Sequence, residues 1–212
     1  LSPRPQIDHI RKPQILEAAA AVIAERGLAS TRIADVAQRA GTSAPAVLYW
    51  FGSKDELLTD ALTVDEDRFY GLMTERLASL EHPRDRLRLL IEACAIDYDL
   101  TLWMELWGRA MRDPGAAAAR KRLDDRWRDQ IADVVRAGQR AGEFTKVDPD
   151  DAAATIAGVL DGLAVQVTLG DPAIPAERMR DLTVRNAELL LGCELAPLGD
   201  EAPVAQAGER VA

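Results

Sequence analysis

Apolar residues return every three or four positions along most of this chain, and glycines and prolines close the runs they form. That spacing is the helical one. Ile15, Leu16, Ala19, Val22 and Ile23 share one stripe, which predicts a first helix from about Ile10 to Arg26 with Gly27 as its C-cap. Residues 1–9, rich in proline and polar groups, are expected to be a mobile arm. Ile33, Val36, Ala37 and Ala40 form the apolar face of a second helix, with Ser30 or Thr31 to cap it and Gly41 to end it. Ser43 is placed to cap a short third helix. Pro45 is tolerated in its first turn because that position has no use for an amide donor.

A long helix should run from Lys54 to about Leu80, where His82-Pro83 breaks it. Helical patterns follow at roughly 84–98, 100–112 and 116–141, then from 150 to about 169 and from 176 to 191. The segment from Ala196 on is small and polar and is expected to be disordered. Alanine is abundant and β-branched alternation is missing, so the predicted fold class is all-α, with 48% apolar residues to fill a core. No stretch approaches ~18 uninterrupted apolar residues, so no membrane span is expected. The opening LSPRPQIDHIRK lacks the apolar core of a signal peptide. Cys94 and Cys193 are isolated, without CxxC or metal spacing. Free thiols of that kind suit a reducing cytoplasm, and neither a metal nor another cofactor is expected.

The most informative stretch is RIADVAQRAGTSAPAVLYWF at 32–51, followed at once by GSKDELL. Two short helices joined by a tight turn form a helix-turn-helix, which presents its second helix to the DNA major groove. Together with ILEAAAAVIAERG at 15–27 and VAQRAG at 36–41, this stretch resembles the TetR-type transcriptional regulators. The resemblance implies a three-helix DNA-binding head, a helical-bundle body for ligand binding and dimerisation, and a symmetric dimer. The corresponding division is a head at 8–68, a body at 69–195 and a tail at 196–212.

Thr42, Ser43, Ala44, Pro45 and Ala46 form the leading turn of the recognition helix. Their small side chains permit close approach and contact with thymine methyls, while few can make bidentate hydrogen bonds. DNA shape is expected to supplement that modest code. Val47, Leu48 and Phe51 are expected to pack inward. The family's usual tyrosine three residues before the phenylalanine is Leu48 here. Tyr49 either takes over a phosphate contact or packs half-buried, and Trp50 either meets the DNA backbone or packs on the linker helix. The resemblance places Lys54 on phosphate. Arg32, and Arg11 or Lys12, are phosphate candidates or ordinary solvated charges.

Charge distribution supports this division. Residues 1–56 carry seven Lys or Arg against six Asp or Glu, a net +1, which leaves −10 on the remainder of a chain whose formal charge is −9. An acidic body repels DNA except where the head is presented. So weakly basic a head should need a second one beside it.

In the body, the Ala- and Gly-rich helix 150–169 is apolar nearly all round. It would pair with 179–191 as half of a four-helix dimer interface, or belong to a purely intramolecular bundle. Asp97, Tyr98 and Asp99, then Trp103, Met104, Glu105 and Trp107, with Trp127 further on, gather aromatic and acidic groups. Such a set suits a cationic small-molecule effector, although tryptophans at this spacing also serve as ordinary core. Segment 103–170 is also similar to the C-terminal region of choline-responsive betaine regulators. Asp161, alone in an apolar helix, needs a partner: Arg109, a backbone amide or a ligand.

The expected function is therefore a dimeric, ligand-responsive repressor on a palindromic double-stranded operator. Activation with the same fold, or a helical ligand-binding protein without DNA function, are the alternatives. An enzyme is not expected. His9 and His82 are the only histidines, and no phosphate loop, nucleophile elbow or Cys–His pairing accompanies them.

Overall fold

A computed structural model of the chain describes residues 4–27, 30–95 and 100–198. Among the described residues there are nine α-helices and no strand. Helix α1 spans Arg4–Arg26, α2 Ile33–Arg39, α3 Ala44–Phe51, α4 Lys54–Ser79 and α5 Pro83–Ala95. Then come α6 at Thr101–Ala110, α7 at Pro114–Ala141, α8 at Pro149–Thr168 and α9 at Ala176–Leu191. No helix among the described residues is long and apolar enough to cross a membrane.

The first helix corrects the expectation of an arm through residue 9, because its backbone is already helical from Arg4. Pro5 falls in the first turn, where a missing amide costs nothing, and Pro13 is carried inside the helix. Residues 1–3 of that arm, and residues 199–212 of the expected tail, lie outside the described residues. The tail does not begin at Ala196, however, since Leu198 still packs against the body core.

The head closes around Ile15, Ala19 and Val22 of α1, Val36 and Ala37 of α2, and Val47 and Phe51 of α3. Leu57 and Ala61 from α4 complete that cluster, so α4 belongs to the head before it leaves for the body. Neither Ser30 nor Thr31 caps α2. The Thr31 hydroxyl is buried and donates to the Gly27 carbonyl at 2.8 Å, and Arg32 occupies the N-cap without a side-chain bond. Ser43 caps α3 by accepting from the Ala46 amide at 3.3 Å. Ser53 caps α4 by accepting from Glu56 at 3.1 Å. Between those two helices Gly52 adopts φ +72°, a left-handed conformation that costs other residues strain.

Two further clusters build the body. Leu87, Leu90 and Ile91 of α5 meet Ile131 and Val135 of α7, Ile156 of α8 and Ala187 and Leu191 of α9. Nearer the head, Leu62 of α4 joins Leu100, Trp103, Leu106, Leu123, Ala164 and Met179. Helices α7 and α8 start on acidic caps. Asp113 accepts from the Gly115 and Ala116 amides at 2.7 and 3.2 Å, which hold its carboxyl below the usual range. Asp148 does the same for α8. Glu143, from the α7–α8 turn, accepts from the Arg84 amide at 3.1 Å and so caps α5 from a distance. Gly138 is the contact point for the buried Phe144 ring, which lies where a Cβ would have to be.

After α9 the chain is clasped to the body. Buried Arg88 pairs with Glu92, one turn along α5, and donates to the Leu195 carbonyl at 2.9 Å. The Leu195 amide donates to Glu188 of α9 at 2.9 Å, and the Leu195 side chain is itself buried.

Candidate nucleic-acid interface and ligand cavity

Helix α3 turns Val47 and Phe51 into the head core, at 0% and 5% exposure. On a helix that rotates about 100° per residue, Tyr49 then falls opposite them with Pro45 beside it, while Leu48 stands on the flank about 60° round from Phe51. All three are exposed: Pro45, Leu48 at 41% and Tyr49 at 77%. Leu48 therefore does not pack inward as the sequence pattern suggested. A helix of eight apolar residues gives no polar position from which to infer its outer side. Trp50 is half-buried against the head core and meets Tyr49 edge-on at 5.3 Å between centroids. Ala44 also leans on that core, Ala46 and Thr42 are half-buried, and Ser43 is exposed at the cap.

Cations flank this face unequally. Arg26 is held by Asp35 at 2.9 Å and Arg39 by Glu25, which removes both from the pool of free charges. Lys12, Arg32 and Lys54 make no ion pair with any described residue. Lys54 begins α4 directly after the Gly52-Ser53 turn, and the Lys12 ammonium lies 5.4 Å from the centroid of the Phe51 ring. Arg11 is exposed and reaches only Gln14 at 3.5 Å.

The body encloses a cavity of about 310 Å³ between α4, α6, α7 and α8. Three of the chain's four tryptophans line it: Trp103 and Trp107 from α6 and Trp127 from α7. The α6 pair stands 6.2 Å apart between centroids. Phe69 and Tyr70 of α4 extend the aromatic wall. Burial pushes the Tyr70 phenol far above its usual range, so it is a neutral wall at any physiological pH. The Arg126 guanidinium lies 4.0 Å from the Tyr70 ring centroid and also pairs with Asp67.

Acidic and basic groups meet in the same space. Glu66, Asp124 and Asp161 line the cavity, against Arg120 and Arg128. Asp124 is engaged by Arg120 at 2.6 Å, and Arg128 is drawn to Asp125 at 2.8 Å. Asp161 has neither a hydrogen bond nor an ion pair with any described residue. Burial, with Asp124 adding to it, raises its carboxyl from 3.8 to about 6. The expected Arg109–Asp161 pair is not formed, because Arg109 is on α6 and turns to the head instead. It donates to the Asp55 carbonyl and the Thr59 hydroxyl, each at 2.7 Å, and to Asp113 at 3.4 Å. Helix α6 thus carries two walls of the cavity and a fastening onto the first turns of α4.

Of the residues proposed from sequence for the ligand, Trp103, Trp107, Trp127 and Asp161 come together in this cavity, whereas Met104 does not line it. Asp97 and Tyr98 lie outside the described residues. Sequence reasoning missed Glu66, Phe69 and Tyr70 on α4, and Arg120, Asp124 and Arg128 on α7. Their spacing was the available signal. Positions 66, 69 and 70, and positions 120, 124, 127 and 128, each form a polar-aromatic stripe on a single helix face.

Both the head and the body of the chain are similar to known proteins. Residues 15–61 match the family model for bacterial regulatory proteins of the tetR family. Residues 83–192 match the model for the C-terminal domain of BetI-type transcriptional repressors. The chain is 30% identical over 203 residues to the HTH-type transcriptional regulator BetI of Burkholderia cenocepacia, covering 91% of this chain and all of the relative. A transcriptional regulator from Saccharomonospora viridis, solved in complex with choline, is similar with TM-score 0.75 and 29% identity, over 85% of this chain and 96% of that one. A TetR transcription regulator from Haloarcula marismortui shares the fold with TM-score 0.74 at 23% identity, over 86% of this chain and 99% of its own.

Proposed function

Because the chain belongs to the TetR family of transcriptional regulators and carries a BetI-type C-terminal domain, we propose that it is a homodimeric repressor whose palindromic operator is released by a small quaternary-ammonium cation of the choline class. The observation that carries this reading is the aromatic cavity with an unpaired carboxylate in it. Tryptophan faces attract a cation through the ring quadrupole, most strongly when water is excluded. Asp161, which pairs with no described side chain, supplies in the cavity a negative charge that a monocation would neutralise. The choline complex of the similar S. viridis regulator supports the same class of ligand.

The dimer would form through α8 and α9. Leu182 and Leu189 are exposed on α9, Leu189 at 80%, and Leu169 is exposed at the end of α8. A Cβ at Gly162 would meet nothing within 4 Å, so α8 leaves room for a close-packed helix there. Two heads related by a two-fold axis read two half-sites ~34 Å apart. A cation drawn between α4, α6 and α7 would favour another head spacing, by as much as its affinity differs between the two states.

The test is a titration of the full chain with choline chloride, with heat and operator release followed in parallel. Binding with release, both lost in Trp127→Ala, is the expected result. A protein that binds its operator equally well with and without saturating choline would overturn the choice of effector.

A further inference from the structure

We propose that the operator is read mainly through thymine 5-methyl groups, by the uncharged strip Pro45, Leu48 and Tyr49 that α3 turns outward. The inference rests on the reading of α3 as the helix that enters the major groove. Helix α3 runs Ala44–Phe51 and contains no charged or amide side chain. It cannot supply the bidentate contacts by which arginine reads guanine or by which asparagine and glutamine read adenine. At its leading end the Ser43 hydroxyl is engaged with the Ala46 amide, and Thr42 is half-buried. The helix nevertheless exposes 77% of Tyr49 opposite its buried residues and 41% of Leu48 on the adjoining flank.

An apolar strip on a solvated helix face gains by meeting an apolar partner. On the major-groove floor, the apolar group that distinguishes one base pair from another is the thymine methyl. The surroundings favour this occupant over a protein partner. Lys54 opens α4 just past the end of α3, and it, Lys12 and Arg32 are unpaired among the described residues and so available to phosphates. Trp50, packed on the head core, braces the Tyr49 ring edge-on, so the strip is ordered before DNA arrives. Phosphates then hold the head in register, and methyl groups distinguish one sequence from another.

Uracil isolates this contact, because it lacks the methyl and keeps every hydrogen-bonding group of thymine. The full chain is first used to select its operator from random DNA. Each thymine of the half-sites is then replaced symmetrically by uracil, and affinity is measured at several salt concentrations. At one or two positions per half-site, uracil should weaken binding about fourfold per methyl, or about fifteenfold for a symmetric pair, with the salt slope unchanged. Leu48→Ala should weaken the thymine operator to a similar extent and abolish the thymine–uracil difference, while Leu48→Met retains it. Leu48 is exposed, so these variants should keep the wild-type melting temperature. An operator without thymine in its half-sites, one indifferent to uracil throughout, or discrimination that survives Leu48→Ala overturns the inference alone. Failure to select any common sequence overturns the groove-reading role of α3 together with it.

Discussion

Lys54 and Asp161 each carry a charge that no ion pair with a described residue neutralises. The Lys54 ammonium stands at the first position of α4 without an ion pair among the described residues. If it neutralises a phosphate, Lys54→Ala weakens binding to all DNA sequences alike and lowers the log–log salt slope by about one. An unchanged slope in a filter-binding series would remove Lys54 from the interface. Asp161 acts through protons instead. Burial raises its carboxyl from the usual 3.8 to about 6 in the folded chain. The protonated form therefore favours folding, a contribution fully present below about pH 4 and lost as pH rises through about 6. A cation needs the ionised form, so choline affinity should rise about tenfold from pH 5 to pH 7 and then level off. Asp161→Asn should give weak, flat binding across that range in calorimetric titrations.

At the scale of elements, α6 stands out because it takes part in two sites. Trp103 and Trp107 face the cavity while Arg109 holds the Asp55 carbonyl and the Thr59 hydroxyl of α4. Arg109→Ala should leave choline affinity within about twofold and reduce its effect on operator affinity by about tenfold, from a range in which couplings of 5- to 150-fold are usual. Equal choline-induced release in the variant and the wild type would exclude α6 as the connection. Helix boundaries such as Gly27, Ser43 and His82-Pro83 were legible in the sequence because caps and breaks are local chemistry, settled by a few neighbouring residues. The cavity was half legible. Trp103 and Trp107 announce themselves on one helix, but Tyr70 and Asp124 acquire meaning only when α4 and α7 lie side by side. Leu48 was misread for a related reason. With apolar residues all round α3, only the docking of α1 and α2 decides which of them stay outside.

Across the whole molecule, head and body share α4, which gives Leu57 and Ala61 to one core and Leu62 and Met73 to the others. A boundary at residue 68 would cut through this helix and leave Leu62 and Glu66, which serve the body, on the head side. The other end of the chain is governed by the clasp of Arg88 and Glu188 around Leu195. That clasp fixes how far a gene encoding the regulator can be shortened from its 3′ side. A stop codon after residue 198 leaves the clasp whole, and the truncated product should melt as the full chain does. Four codons earlier, the Arg88 guanidinium loses its carbonyl and the core loses a buried leucine. That product should be less stable by about 3 kcal/mol or more, with a melting temperature lower by about 10 °C.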